Sequence, residues 1–132
     1  MIRLAAIAIG FCGLATPALA TEWVNCRDAD GAASFDFLVG TLDVLSIVGL
    51  TVSVGDKVWA SDVAYGPGEP ASVGQAYEND QMILVDVMDA SLAARVAELR
   101  LFKASEGDGA LVYAGTLRIP GHGAWAVSCT GT

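Results

Sequence analysis

The stretch Gly115 to Gly131, GTLRIPGHGAWAVSCTG, sets the narrowest limit on what this chain can fold into. Two apolar, β-branched runs flank a Pro120-Gly121 turn, the pattern of an antiparallel hairpin, and the second run carries Cys129. A matching run, Glu22 to Arg27 (EWVNCR), stands near the other end of the chain with Cys26 inside it. A bond between Cys26 and Cys129 staples the first strand to the last, so the two must lie side by side. Such a bond encloses a loop of about 100 residues, for which the chain-entropy model gives roughly 4 to 5 kcal/mol of stabilisation.

Residues Met1 to Ala20 read as a secretory signal rather than as part of the fold. Arg3 supplies the positive start, Leu4 to Leu14 the apolar centre, and Ala18-Leu19-Ala20 the small-x-small cleavage pattern, which makes Thr21 the new N-terminus. The apolar run is shorter than the roughly 20 residues that span a bilayer, so no stable membrane insertion is expected once the signal is removed. Cys12 follows the bulky Phe11, where a lipid-attachment signal wants a small residue, and lipidation is not expected. Cleavage leaves Cys26 and Cys129 as an even pair. Export to an oxidising compartment, periplasmic or extracellular, makes a disulfide their default state.

The remaining residues, 21–132, are one domain's worth of chain. Of the seven lysines and arginines Arg3 leaves with the signal, so six basic side chains face fifteen acidic ones, a net charge of −9 with the histidine neutral. That balance disfavours nucleic acid and anionic membrane surfaces. It favours simple solubility or a cationic partner, a basic protein among them.

Alternating apolar residues and glycine punctuation dominate the mature sequence, the signature of many short antiparallel strands. Val24 and Cys26 share one face of the first strand. After a turn at Asp28 to Gly31, Ala33, Phe35 and Phe37 share a face of the second, which runs to Gly40. From Leu42 to Val54 the even positions Leu42, Val44, Val48, Leu50, Val52 and Val54 read as one apolar face; so long a strand requires a bend or bulge near Ser46 or Gly49. Gly55-Asp56 is a two-residue hairpin turn that sets Val54 against Lys57 and Val52 against Trp59, placing Trp59 in the core. Tyr65 to Pro70 (YGPGEP) is the longest loop. Strands follow near Ser72 to Tyr77, with Val73, Gln75 and Tyr77 on one face, and from Met82 to Val87.

Asp89 reads as a helix N-cap, and Leu92, Val96 and Leu99 at i, i+4 and i+7 predict one short helix over Ala90 to Ala97. Alternation resumes at Leu99 to Lys103. After the SEGDG turn, Leu111, Tyr113, Leu117 and Ile119 line one face, and Trp125, Val127 and Cys129 line the inner face of the last strand. The fold class is therefore all-β: a small antiparallel sandwich or closed barrel with one short helix. One helical interruption is too few for a parallel βαβ layout.

Motifs for catalysis are missing. There is no G-x-S-x-G elbow, no phosphate-cradling glycine pattern and no EF-hand loop, so no cofactor or metal is called for. His122 is the lone histidine, between Gly121 and Gly123, and reads as a turn residue without the third group that would hold a general base. Glu78, Asp80, Asp86 and Asp89 form the densest acidic run; Asp86 interrupts the most apolar strand and is the one carboxylate whose burial would demand a partner. Aromatic residues give the remaining signal. Trp23 points away from Val24 and Cys26, beside Asn25 and Arg27; Tyr65 sits in the long loop; and Tyr77 closes the following strand. These three are the candidate partner-binding residues, because exposed aromatics beside polar groups are what recognition surfaces use.

By exclusion the sequence points to an exported binding protein of the bacterial cell envelope without catalytic activity, inhibitor-like toward a cationic protein. In its acidic surface, single domain and single disulfide it resembles in outline the small exported β proteins that inhibit lysozymes in the periplasm. The alternative is a carbohydrate-directed module or hydrolase using Asp86 with Glu78 or Asp80.

Overall fold

The computed structural model describes residues 21–131; the signal segment, with Cys12, and Thr132 lie outside the described residues. Nine strands close into a barrel in chain order: β1 (Glu22–Arg27), β2 (Ala33–Val39), β3 (Ile47–Val54), β4 (Lys57–Ala60), β5 (Glu69–Glu78), β6 (Met82–Asp89), β7 (Arg95–Ala104), β8 (Val112–Ile119) and β9 (Gly123–Gly131). Among the described residues no helix is long and apolar enough to cross a membrane.

The period-2 alternation does the sorting. Val24, Phe35, Phe37, Leu50, Val52, Trp59, Ile83, Val85, Val87, Leu99, Leu101, Leu117, Ile119 and Val127 point inward and fill the barrel, while their sequence neighbours face out. Cys26 and Cys129 stand directly opposite each other where β9 meets β1, and their disulfide closes the cylinder across 103 positions of chain. The hairpin at Gly55-Asp56 has the expected register, with Val54 opposite Lys57 and Val52 opposite Trp59, and Trp59 is buried.

Several expectations are corrected. The segment Ala90 to Ala97 is not a helix but a tight loop followed by the start of β7. Asp89 does cap: Oδ1 accepts from the Ala93 and Ala94 amides at 3.0 and 3.3 Å and from the Ser91 hydroxyl at 2.9 Å. A carboxylate collects amides at a chain reversal as readily as at a helix start. Leu92 adopts φ 59°, which interrupts a right-handed helix, and its side chain is exposed.

The strand expected from Leu42 begins only at Ile47. Gly40 donates its amide to the Ser46 carbonyl at 2.7 Å and closes a loop in which Leu42 and Val44 are exposed. Val48 is the extra residue of a bulge: Leu38 pairs with Gly49 and Val39 with Ile47, so Val48 leaves the inner face. A second bulge at Gly74 separates Val73, opposite Val87, from Gln75 and Tyr77, opposite Asp86 and Leu84; Val73 turns toward the core, whereas the other two face out. Leu111 is exposed before β8 begins, so it is not part of the β8 inner face.

Eight of the nine junctions are antiparallel. The ninth is parallel: β4 meets β5 only at Trp59 with Glu69 and Ala60 with Pro70. Parallel neighbours ordinarily need a crossover of a dozen or more residues. Here Ser61 to Gly68 suffices, because β4 is four residues long and the return path is correspondingly short.

Candidate functional site

Alternation on β1, β2 and β3 lays two rows of side chains across the outer wall. Asn25, Asp36 and Thr51 face one another in register, and beside them runs the row Trp23, Leu38 and Gly49. The crossover from β4 then folds over this surface. Asp62 starts its single 3-10 turn, Val63–Tyr65, by accepting the Ala64 amide at 2.8 Å. Thr51 Oγ1 donates to the Tyr65 carbonyl at 2.6 Å, and the Tyr65 ring settles on Gly49, the one position in the row with no side chain to obstruct it. A Cβ on Gly49 would stand 2.6 Å from Tyr65 Cζ.

Tyr65 thereby meets Trp23 edge to face, with ring centroids 5.7 Å apart and planes inclined by 69°. The pair and the row Asn25, Asp36, Thr51 line an open groove of about 490 Å³. Leu38 faces outward on β2 yet is only 9% exposed; Trp23 and Gly49, its cross-strand partners, place it under the aromatic pair. The pair therefore forms a small apolar layer outside the barrel and keeps one flank open to the groove. Asp36 is engaged by Arg27 in a two-point ion pair, Nη1 to Oδ1 at 2.5 Å and Nη2 to Oδ2 at 3.0 Å, which orients its carboxylate along the wall.

Of the three aromatic residues singled out by the sequence, the structure brings together Trp23 and Tyr65. Tyr77, 46% exposed, stands on β5 outside that groove, with Asn79 Nδ2 donating to its hydroxyl at 3.4 Å. Asn25, Asp36 and Thr51 were legible only as polar alternates. Gly49 was legible as a place for a bend or bulge, and the bulge falls beside it at Val48, but its second role, admitting a ring from another part of the chain, carried no signal.

Asp86 lies on the outer face and is 6% exposed. Arg100 Nη2 reaches Oδ1 at 2.7 Å and Arg95 Nη2 reaches Oδ2 at 3.6 Å. Directly opposite, on β7, Glu98 is held by Arg118 at 2.5 Å and by Arg95. The Arg118 guanidinium first, and Arg95 with it, keep the Glu98 carboxyl below the ordinary glutamate range. Glu78 lies three β6 pairing positions from Asp86, about 10 Å along the strand, and binds Lys103 at 3.1 Å; Asp80 is in the turn beyond. The structure thus gives Asp86 two arginines as companions and does not set Glu78 or Asp80 against it. His122 is exposed in its turn, with its ring edge to face on Trp59 at 5.6 Å between centroids. Among the described residues no group of three His, Cys, Asp or Glu side chains is placed to hold a metal ion.

Charge is distributed unevenly. All six basic side chains of the described residues, Arg27, Lys57, Arg95, Arg100, Lys103 and Arg118, sit in ion pairs. Asp36, Glu69, Glu78, Asp86 and Glu98 hold them, and among the described residues the other ten acids have no basic partner. Comparison with known proteins returned no match to any family model, curated protein or solved structure.

Proposed function

We propose that the chain is an exported cell-envelope binding protein, without catalytic activity, that holds a basic protein at the Trp23–Tyr65 groove. The observation that carries this reading is the convergence of two aromatic residues, from β1 and from the β4–β5 crossover, on a polar row of the outer wall. A T-shaped aromatic pair fixed by backbone contacts is a pre-ordered anchor, and such anchors concentrate binding energy. The charge inventory supports the choice of partner. With the basic side chains consumed internally, the surplus of acids faces outward and attracts a cationic surface.

A second reading, recognition of carbohydrate, draws on a different feature of the groove. Asp36 is already neutralised by Arg27, so Asn25, Asp36 and Thr51 present hydrogen-bonding groups beside an aromatic face. The experiment is capture from envelope extract on immobilised oxidised protein, eluted with a salt gradient, for wild type and Tyr65→Ala. Stoichiometric recovery of a basic protein released by modest salt, and its loss with Tyr65→Ala, is the expected result. Recovery of glycan alone moves the assignment to the second reading. A basic protein retained equally by Tyr65→Ala removes the groove from the account.

A further inference from the structure

The barrel wall has an open seam. β3 pairs with β4 only over Thr51–Val54, and β5 pairs with β4 only at Glu69 and Pro70. Beyond Ala60 the wall lacks a strand between β3 and β5. On the β3 side Ser61 occupies the backbone of Leu50, its hydroxyl accepting the Leu50 amide at 2.9 Å and its own amide donating to the Leu50 carbonyl at 3.0 Å. On the β5 side, Ala71 to Glu78 pairs with β6 and, among the described residues, with nothing on its other edge. A recess of about 610 Å³, lined by Ala60 to Val63 and by Gly66 to Gly68 with Pro70, stands at the foot of the gap.

We infer that this seam is a strand-addition site: the free edge of β5, Ala71 to Glu78, takes up an extended cationic segment of the basic partner. The inference rests on the proposed function for the sign of the partner's charge, and on the topology for the site. Three features select an extended, positively charged occupant. The edge ASVGQAYE carries no lysine, and after Pro70 no proline, the residues that ordinarily guard an exposed edge. The open end of the seam is bordered by the β2–β3 loop with Asp43 and the β5–β6 turn with Asp80; neither acid has a basic partner among the described residues. Tyr77 faces outward on the edge strand, where an outward side chain of an added strand would lie beside it, and Tyr65 lies on the crossover at the β3 flank of the gap. The seam and the groove share that crossover, and one partner can engage both.

The test uses the protein expressed from the full sequence and purified oxidised, with two seven-residue probes of alternating lysine and valine. One has ordinary amides; the other is N-methylated on its central backbone amides and keeps the same charge and side chains. Strand addition predicts that the ordinary peptide binds about tenfold or more tightly than the methylated one, since two or three backbone hydrogen bonds separate them. It also predicts slowed amide hydrogen exchange over Ala71 to Glu78 when the ordinary peptide is added. Equal binding of the two probes, or slowed exchange confined to other strands, overturns the seam while leaving the cationic partner standing. No binding of either probe at low salt overturns both.

Discussion

Gly49→Ala is the most economical way to dismantle the groove while leaving the barrel alone. Its Cβ would fall 2.6, 2.7 and 2.9 Å from three atoms of the Tyr65 ring, against the 3.5 to 4.0 Å or so of an ordinary carbon contact. The ring must therefore retreat by about 1 Å or swing away, because the β3 backbone is fixed by its β2 ladder. Displacement forfeits the edge-to-face contact with Trp23, worth about 0.5 to 1.5 kcal/mol, and part of the cover over Leu38. Alanine returns about 0.4 to 1 kcal/mol by restricting the unfolded chain. The net loss of stability is then within about 1 kcal/mol, a shift of about 1 M or less in the urea midpoint at a slope of about 1 to 3 kcal/mol/M.

Affinity for the captured basic protein should fall about tenfold or more, since truncating an anchor costs about 2 kcal/mol or more. Urea denaturation followed by far-ultraviolet dichroism, near-ultraviolet dichroism for the Trp–Tyr contact, and titration calorimetry measure the three quantities together. Unchanged affinity in a variant whose near-ultraviolet signal shows the ring displaced refutes the assignment of the groove.

Three further outcomes follow from the same structure. Cys26→Ala with Cys129→Ala should lower stability by about 4 kcal/mol or somewhat less, read as a fall in the urea midpoint that reduction of the wild type reproduces. Gly115→Ala places a Cβ 1.8 Å from the Arg100 carbonyl oxygen, between β7 and β8, so the backbone itself must part; a loss of about 3 kcal/mol or failure to fold is expected by thermal melting, and a variant as stable as wild type contradicts the register. Asp28, Asp89 and Glu98 are held below their ordinary pKa values, Asp28 mainly by the Ala33 amide, Asp89 by the Ser91 hydroxyl and the Ala94 amide, and Glu98 by Arg118. Their contribution is present above the unfolded carboxylate values, 4.5 for glutamate and 3.8 for aspartate, and is lost as pH falls below them through the folded values. Stability should thus decline as pH drops below about 4.5, and Glu98→Gln should flatten the upper part of that decline.

Much of the barrel was legible because one face of each strand is buried, which fixes register through a period of two. Phe35 and Phe37, Leu99 and Leu101, and Val127 and Cys129 all announce their inward face by alternation. The Gly55-Asp56 turn dictated the Trp59 register by itself. Where a bulge intervenes, alternation misleads: Val48 and Gly74 each add one residue, so Val48 leaves the face of Leu50 and Val52, and Val73 parts from Gln75 and Tyr77. The false helix had a different cause. Asp89 looks the same ahead of a helix and ahead of a tight loop, and apolar residues three or four apart can include a strand's inner face plus one exposed loop leucine.

The candidate site was half legible for a comparable reason. Trp23 and Tyr65 stand out locally as aromatics among polar neighbours, but their meeting depends on a crossover that turns parallel, a long-range event with no local code. Gly49 marks the bulge from sequence alone, but its part in the site shows only once Tyr65 is seen to lie on it. Charge, by contrast, was read in total from composition while its arrangement was hidden: all six basic groups being spent on internal pairs is a property of the folded surface.

The most direct test of the groove as the binding site is the fluorine spectrum of protein labelled with 5-fluorotryptophan, recorded as the captured basic protein is added. Trp23, Trp59 and Trp125 give three signals. Binding at the groove predicts that the Trp23 resonance shifts, returns when salt is raised, and does so while Trp59, buried in the core, holds still. A Trp23 resonance unmoved at saturating partner contradicts it.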